Sequence, residues 1–384
     1  MARLRKSPIR ITAPLPAEEQ AGIPKHRRIF DYLSSRIKSG ELAPGDRLPS
    51  EAELGRIFNA SRVTVGKALH DLRQMNLVTR RPGAGTHVQA AQHQATRSLG
   101  LLIPDLGRTE IFEPIAQGMM RSPFARNVVL VWGNAASASD DVARQTEQMV
   151  QSLIAEKVEG VFFAPLEMVP NRDVVNRRIA QDFERAQIPI VLLDRCYMPY
   201  PERSQHDLVG VDNRRAGYMA TTHLIQHGAQ RLAFVCREGS ANTIDARITG
   251  FLEAIRLRNI AQTLPSVWMG DPKAESFVER MMATVQPEGI VCANDLTAAQ
   301  LMQTLLRLGI RIPADVRLVG MDDIKYAALL PVPLTTVHQD CFGLGMRAME
   351  TMLQRLEHPE LPVCDVLVPT RLVVRQSCGA HPAV

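Results

Sequence analysis

The sequence predicts a multidomain protein, in which a small α+β domain is followed by an α/β body of two doubly wound parallel-sheet subdomains. Three observations lead to this fold class. Short amphipathic segments and a glycine-tipped hairpin occupy residues 25–88, apolar strands alternate with helices from Leu99 onward, and the two parts differ in net charge. A chain of 384 residues is long enough for two or three domains, each with its own hydrophobic core.

The charge of the chain is unevenly distributed. Residues 1–92 contain 16 Lys and Arg against 8 Asp and Glu, a net charge of +8, whereas the whole chain has a formal net charge of +5. Residues 93–384 therefore carry a net charge of −3. A basic N-terminal part on a mildly acidic body indicates a nucleic-acid partner at that end only.

Other bulk features argue against secretion, membrane insertion and metal binding. No apolar stretch follows the basic residues near the N-terminus, and the longest apolar runs have the length of a strand. We therefore expect a cytoplasmic, nucleoid-associated protein that has no membrane partner and needs no cofactor. The scattered cysteines include no CxxC pair, which predicts buried, reduced thiols and no metal site. They are Cys196, Cys236, Cys292, Cys341, Cys364 and Cys378.

Composition shifts divide the chain into five segments. The expected segments are a flexible arm at 1–23, an N-terminal domain at 24–89, a polar linker at 90–97, the body at 98–378 and a tail at 379–384.

The N-terminal domain is predicted to contain three short helices and a hairpin. Apolar side chains recur at helical spacing after Lys25 and define the first helix. Ser50 and Glu53 have the spacing of a capping box at the start of the second helix, and Ser61 caps the third. Residues 77–88 then form a hairpin with glycines at its tip.

This arrangement is typical of a domain that places a helix and a hairpin on duplex DNA. In a helix-turn-helix, the N-terminal residues of the recognition helix face base edges in the major groove. Arg62 is suited to a forked contact with a guanine edge, whereas Thr64 and Lys67 are suited to phosphates or a thymine methyl group. Arg80 and Arg81 add positive charge to the hairpin.

Residues 24–89 resemble the winged-helix domain of the GntR regulator family. The resemblance rests on residues 39–51, on the sequence Ser61-Arg62-Val63-Thr64-Val65 and on the hairpin motif Arg81-x-Gly83-x-Gly85-Thr86. It implies DNA contacts from these motifs and the residues around them. The candidates are Ser50, Ser61, Arg62, Val63, Thr64, Lys67, Arg80, Arg81, Gly83 and Gly85. Gly66 stands where many family members have a second arginine, so the operator sequence of a relative should not be transferred to this chain.

In the body, near-continuous apolar strands are joined by helices. Residues 99–104, 128–132, 160–164 and 188–194 are strands of this kind, and the pattern continues to Met321. Such strands form parallel sheets that are covered on both faces, and about ten units are too many for one small sheet. We expect two subdomains, with a ligand at the carboxyl ends of their strands in the cleft between them.

The body also resembles the effector-binding core of the lactose/galactose repressor family, itself similar to periplasmic sugar-binding proteins. The resemblance covers residues 98–376. Its motifs include Ile111-Phe112-Glu113, Val211-Asp212-Asn213, Arg247 with Gly250-Phe251, Ala293-Asn294-Asp295, and Gly320-Met321-Asp322-Asp323 followed by residues 333–340.

This resemblance implies a periplasmic-binding-protein-like type I fold and an effector site. The first subdomain is expected at about 98–207 and 338–367, and the second at about 208–337 and 368–378. Arg247 and Asp295 match the family's effector-binding arginine and aspartate, and Phe112, Glu113, Asp194 and Gln339 match other positions in the cleft.

The residue types at these positions suit a polyol. Vicinal hydroxyls donate to an aspartate and accept from the forked donors of a guanidinium. Trp132, at the end of the second strand, would either stack on a sugar face or fill the core of its subdomain. Each polar candidate also has a purely structural alternative, such as a helix cap or a surface ion pair for Asp295 and Arg247.

The combined prediction is a homodimeric, ligand-controlled transcription regulator, most simply a repressor, with operator DNA and a sugar or sugar-derivative effector as partners. Three alternatives are a transport binding protein, a constitutive DNA-binding protein without ligand control, and an enzyme whose aminotransferase-like body holds pyridoxal phosphate. The missing leader and the N-terminal domain argue against transport. The enzyme needs a Schiff-base lysine, and the body offers only Lys157, Lys273 and Lys325, none in the expected context.

Overall fold

The computed structural model describes residues 24–74, 77–81, 85–89, 96–103, 110–133, 142–199, 201–261 and 266–380. The chain divides between Thr96 and Arg97 into two compact units. The arm expected at 1–23, most of the expected linker and residues 381–384 of the expected tail lie outside the described residues.

The N-terminal unit contains the three helices and the hairpin that the sequence predicts. The helices are α1 (Lys25–Lys38), α2 (Glu51–Ile57) and α3 (Arg62–Gln74), and the antiparallel strands are β1 (Val78–Arg81) and β2 (Gly85–Val88). The apolar stripe of α1 meets α3 in a small core, in which Leu33, Leu54 and Leu72 are fully buried. This core packs α3 and the hairpin into one compact unit.

The larger unit begins with a sheet of parallel strands and the helices between them. These elements are β3 (Arg97–Leu102), α4 (Phe112–Arg121), β4 (Val128–Trp132), α5 (Val142–Ala155), β5 (Gly160–Phe163), α6 (Arg172–Arg185), β6 (Ile190–Asp194) and β7 (Asp207–Val211). A short 3-10 helix, Ala125–Asn127, precedes β4.

A second set of elements follows in the same alternating pattern. They are α7 (Asn213–Gln226), β8 (Leu232–Cys236), α8 (Asn242–Leu257), β9 (Val267–Met269), α9 (Glu275–Val285), β10 (Gly289–Cys292), α10 (Asp295–Arg307), β11 (Arg317–Asp322), β12 (Thr335–Gln339), α11 (Cys341–Glu357), β13 (Asp365–Val368) and β14 (Thr370–Val373). A 3-10 helix, Ala327–Leu329, lies between β11 and β12.

The strands form two six-stranded sheets, as the predicted fold class requires. Their orders are β13-β7-β6-β5-β3-β4 and β14-β12-β11-β10-β8-β9, and all pairs are parallel except that of β14 with β12. The chain crosses between the sheets after β7, after β12 and after β13. In each sheet the chain adds one strand on one side of the first strand and then continues on the other side. This reversal occurs at β3 in the first sheet and at β8 in the second. Ligands bind at such switch points in open α/β sheets.

The expected subdomain boundaries are wrong by a few residues. Strand β7 lies between β6 and β13 of the first sheet, so residues 208–211 belong to the first subdomain and not to the second. Strand β12 pairs with β11 as far as His338, and Gln339 pairs with β14 of the same sheet. The chain therefore leaves the second subdomain after Gln339 and not after Val337. Arg97, placed in the linker by the sequence analysis, pairs with Val128 as the first residue of β3.

Glycines set how closely α7 and α8 approach each other. A Cβ atom on Gly217 would collide with the Arg247 carbonyl oxygen, and one on Gly250 would collide with the Arg214 carbonyl oxygen. Larger residues would therefore push the two helices apart. This close backbone contact fixes the position of Arg247, which begins the second turn of α8.

Two further sequence expectations concern burial and membranes. Four cysteines are buried as expected, but Cys196 is half-buried and Cys364 is exposed, because Cys364 precedes the edge strand β13. Over the described part of the chain, no helix combines the length and the apolar character that crossing a membrane requires.

Candidate functional site

The N-terminal unit presents the start of α3 on its surface. Ser61 caps this helix, since its Oγ accepts the Thr64 amide at 3.2 Å and pairs with Thr64 Oγ1 at 2.8 Å. Arg62 and Val63 follow in the first helical turn, with 84% of the Arg62 side chain and 83% of Val63 exposed. Lys67 is exposed one turn further along.

Glu51 connects the start of α3 with the hairpin. Arg62 Nε donates to Glu51 Oε2 at 3.0 Å, and Arg80 Nη1 lies 4.0 Å from the other oxygen, Oε1. The capping box predicted from Ser50 and Glu53 is present and holds the turn before α2. The Ser50 amide and hydroxyl donate hydrogen bonds to the Glu53 carboxylate, and these bonds lower the pKa of Glu53. Glu51 is not among the residues predicted from the sequence, because an ion pair across 11 residues leaves no local pattern.

The remaining candidates for DNA contact belong to the hairpin, and not all of them lie among the described residues. The backbone of Arg81 pairs with Gly85, whereas Gly83 lies outside the described residues. Gly85 has a φ of +94°, and a Cβ there would lie 2.9 Å from Arg47 Nε. Arg47 is a further exposed cation beside the hairpin and is not among the residues predicted from the sequence.

Gly66 stands where many members of the GntR family have an arginine. A Cβ atom added at this position would have no neighbouring atom within 4 Å. We expect Gly66→Ala to raise the free energy of unfolding of the N-terminal unit by about 0.5–1 kcal/mol, because glycine destabilises a helix interior relative to alanine. Urea denaturation followed by circular dichroism measures this change. Gly85→Ala is the control, for which we expect the opposite sign since its φ is positive. A loss of stability in Gly66→Ala would contradict the open environment described here.

The larger unit contains a cavity of about 530 Å³ at the carboxyl ends of both sheets. Its polar lining comes from strand ends and from the helix starts that follow them. The polar lining residues are Glu110, Glu167, Asp194, Arg195, Thr243, Arg247, Asn294, Gln300, Gln303, Asp322, Tyr326 and Gln339. Asp194, Arg247 and Gln339 are candidates from the sequence, and the structure brings these three together.

Asp194 and Asp322 are the last residues of β6 and β11, one in each sheet. Both have positive φ, +66° and +114°, a conformation that costs free energy in non-glycine residues and is common at functional sites. Burial raises the pKa of both carboxyl groups, against the attraction of Arg195 and Arg247 for Asp194 and of Arg247 for Asp322. Asp194 Oδ1 has no hydrogen-bond partner among the described residues.

Arg195 is a second buried cation in the cavity wall. Its Nη1 donates to Glu167 at 2.7 Å, its guanidinium lies 5.5 Å from the centre of the Phe112 ring, and its Nε finds no acceptor in the described part of the chain. Burial alone would raise the pKa of Glu167, but the charge and hydrogen bond of Arg195 and the bond from the Ala241 amide together lower it. Arg195 and Glu167 are therefore an ion pair.

Arg247 and Gln339 are held by their neighbours. Arg247 Nε donates to Asn213 Oδ1 at 2.8 Å, its Nη1 donates to the Ala293 carbonyl at 2.5 Å, and its Nη2 lies 3.9 Å from Asp322 Oδ1. Gln339 Nε2 donates to the same Asp322 oxygen at 2.9 Å, which leaves Gln339 Oε1 unpaired with respect to the described residues.

Asp295 lies behind the cavity wall. Its side chain is fully buried, whereas its neighbours Asn294 and Leu296 line the cavity. It accepts hydrogen bonds from Thr336 Oγ1 at 2.6 Å and from the Ile324 amide at 3.1 Å. The structure thus gives Asp295 a supporting position beneath the wall, in place of the direct effector contact expected from the sequence.

Burial raises the pKa of Asp295 to about 7. Between about pH 4 and pH 7 the folded chain then binds more protons than the unfolded chain, so this group makes the free energy of unfolding fall as the pH rises. We expect Asp295→Asn to remove that fall, because an amide can accept from Ile324 and donate to Thr336. Urea midpoints at about pH 5 and about pH 8 measure the difference. An unchanged pH dependence in the variant would exclude a raised pKa at this position.

Three sequence candidates lie elsewhere. Phe112 is a core residue that supports Arg195 and does not line the cavity, where Glu110 and Ile111 stand instead. Glu113 and Trp132 belong to a separate depression, which also includes Met120 and Phe342. Trp132 is 42% exposed, so it neither fills the core nor reaches the cavity. The expected effector contacts of these three residues are therefore not supported.

The cavity residues missed by sequence reasoning share one signal. Arg195 and Asp322 stand at or directly after the end of a buried strand, as Asp194 does, and Glu167 follows β5 by four residues. A systematic search for polar residues at the ends of the apolar strands would have found them. Glu110 and Tyr326 have no such signal.

Comparisons with known proteins divide the chain in the same way. Residues 25–88 match the family of bacterial regulatory proteins named gntR, and residues 221–378 match a periplasmic binding protein-like domain. The arabinose metabolism transcriptional repressor of Geobacillus stearothermophilus is 25% identical over 368 residues, which cover 92% of this chain and 98% of the relative. The ribose operon repressor of Halalkalibacterium halodurans is 27% identical over 288 residues, 74% and 80% of the two chains.

Solved structures show the same fold. A LacI family transcriptional regulator from Enterococcus faecium with bound ribose matches with a TM-score of 0.58 and 24% identity over 73% of this chain and 98% of that one. A complex of the transcriptional regulator CelR with cellobiose matches with a TM-score of 0.61 and 21% identity, over 84% and 94% of the two chains.

Proposed function

This chain joins a domain of the GntR regulator family to a periplasmic-binding-protein-like domain, and we propose that it is a transcription repressor controlled by a small polyhydroxylated effector. The observation that carries the proposal is the presence, in one chain, of an exposed basic helix start and of a polar cavity at the switch points of two sheets. The names of the relatives, repressors of arabinose and ribose genes, agree with it.

The N-terminal unit supports a sequence-reading role. We place the start of α3 in the major groove, with Arg62 on a base edge and Lys67 on the phosphate backbone, while Arg80 and Arg81 of the hairpin contact the flanking backbone or minor groove. Glu51 holds the Arg62 guanidinium at the helix start, which reduces the entropy lost when this side chain engages a base.

Two copies of such a domain would read a pseudo-palindromic operator, whose half-sites lie one or more turns of about 10 bp apart. A homodimer through the larger unit is therefore part of the proposal. The depression at Trp132 supplies an apolar surface for it, since Met120, Trp132 and Phe342 expose large side chains beside one another. Surfaces of this kind commonly mark contacts between proteins.

We expect Trp132→Glu to shift the protein from dimer to monomer, because a carboxylate at the centre of an apolar interface loses its hydration on association. Sedimentation velocity at micromolar concentration measures the change. Leu329→Glu is the matched control, since Leu329 is 81% exposed and lies outside this depression. If the Trp132 variant sediments as the unmodified chain does, the depression is not the dimer surface.

The cavity is suited to a ligand with several hydroxyl groups. Asp194 and Gln339 offer acceptors, and Arg195 and Arg247 offer donors, all in the wall of one cavity. Action on operator DNA would place the protein in the cytoplasm, at the nucleoid.

Selection of random double-stranded DNA on the purified full-length protein tests the function. We expect an enriched inverted repeat that binds at least 1000-fold more tightly than unrelated DNA, in line with roughly 10³–10⁷ for specific regulators. Binding without enrichment of any sequence would contradict a repressor function.

A further inference from the structure

The charged groups around the cavity are unequal in number. Over the described residues, four carboxyl groups line it, those of Glu110, Glu167, Asp194 and Asp322, and the guanidinium groups of Arg195 and Arg247 are the cations. Both guanidinium groups already face carboxylates, with Arg195 bound to Glu167 at 2.7 Å and Arg247 located 3.9 Å from Asp322. Carboxyl groups therefore outnumber cations around the cavity, and among these residues each guanidinium group already faces a carboxyl group.

The hydrogen-bonding atoms that lack a partner within the described ranges indicate what the ligand supplies. Asp194 Oδ1 and Gln339 Oε1 are acceptors that need donors, and Arg195 Nε is a donor that needs an acceptor. Each of these side chains is more than nine-tenths buried. A hydroxyl group both donates and accepts, so a ligand with several hydroxyls carries the partners that both kinds of atom need. An ionised phosphate or carboxylate cannot donate to Asp194 or Gln339.

Anions commonly bind at helix N-termini, and at two of those beside the cavity one backbone amide already donates to a side chain of this chain. The Ala241 amide at the start of α8 donates to Glu167 Oε2 at 3.1 Å. At the start of α10, the Thr297 amide donates to Asn294 Oδ1 at 2.9 Å. At these two helix starts a side-chain oxygen thus takes the position that a phosphate oxygen would need at that amide, and Glu167 adds a carboxyl group at one of them.

We propose that the cavity selects an uncharged polyhydroxylated molecule and excludes its phosphate ester and its sugar acid. The proposal rests on the proposed function only in taking the cavity to be the effector site. It specifies the ligand class more narrowly, since a sugar-responsive regulator could equally respond to a phosphorylated sugar. The selectivity arises from carboxylate repulsion and from acceptors that only a donor can satisfy.

Isothermal titration of the full-length protein with matched sets of probes tests this inference. Each set contains a neutral sugar, its phosphate ester and its acid: ribose with ribose 5-phosphate and ribonate, and the corresponding sets of arabinose, galactose and glucose. We expect one neutral sugar to bind at least tenfold more tightly than its two anionic counterparts. A phosphate or an acid that binds within tenfold of its neutral counterpart, or more tightly, would overturn the proposal.

Absence of binding by every probe would also overturn it, because the cavity would then not be a sugar site. That result is distinguishable from failure of the proposed function, since enrichment of an operator by DNA selection does not involve the cavity. Asp194→Asn supplies a second readout, in which removal of one charge at constant size should reduce the preference for the neutral sugar at least threefold. Glu279→Gln, an exposed change on α9, should leave the preference unchanged. An unchanged preference in Asp194→Asn would exclude this carboxylate as a source of selectivity.

Discussion

Arg62→Ala should weaken sequence-specific operator binding about 5- to 150-fold while leaving the fold intact. Its side chain is almost fully exposed, so its removal creates no cavity in the core, and the helix start remains capped by Ser61. A bidentate contact between an arginine and a guanine edge contributes roughly 1–3 kcal/mol of discrimination, or about 5- to 150-fold in affinity. Binding to unrelated DNA should change much less, because it depends on the total positive charge.

Fluorescence anisotropy with the selected operator and with a scrambled duplex measures both quantities. Arg73→Ala is the control, since Arg73 is an exposed cation at the far end of the same helix. Equal losses in the two variants would indicate a charge effect only. Full specificity in Arg62→Ala would show that another element reads the operator.

Arg247→Lys should leave operator binding intact and weaken the response to effector. Lysine keeps the positive charge near Asp322, so the buried carboxylate is not left without a cation. It cannot reproduce the planar fork that bonds Asn213 and the Ala293 carbonyl while presenting further donors to the cavity. Loss of one charge-assisted hydrogen bond to a ligand costs about 1.5–3 kcal/mol, which weakens effector binding about 10- to 150-fold.

Titration calorimetry with the effector measures this loss directly. Arg256→Lys is the matched control on α8, because Arg256 is exposed and takes no part in the cavity. An effector affinity in Arg247→Lys equal to that of the unmodified chain would show that Arg247 does not bind the effector. The role that the resemblance to the lactose/galactose repressor family implies for Arg247 would then be wrong.

The sequence predicts the N-terminal unit well because its signals are local. The capping box of Ser50 and Glu53 and the glycine at position 85 lie within a few residues of the structures they produce. The alternation of strands and helices in the body is local in the same sense. It does not say which sheet a strand joins, and β7 was assigned to the wrong subdomain because an apolar parallel strand has the same pattern in either sheet.

Prediction of the cavity was less complete, because the direction of a side chain depends on packing. The motif at residues 111–113 does lie next to the cavity, but successive helical residues point about 100° apart, so Phe112 enters the core and Glu113 faces another surface. Asp295 sits between two residues that line the wall and is itself turned away from it. The ion pair of Arg195 with Glu167 joins residues 28 positions apart and has no local pattern.

Operator affinity measured with and without the cavity ligand tests the central claim most directly. The claim is that one chain couples its N-terminal unit to the cavity, and such coupling amounts to about 1–3 kcal/mol, or about 5- to 150-fold. We predict a change of at least fivefold in the operator dissociation constant for the unmodified chain, and a smaller change for Arg247→Lys at the lowest ligand concentration that saturates the unmodified chain. Identical operator affinity in the unmodified chain with the cavity empty and saturated would contradict the account.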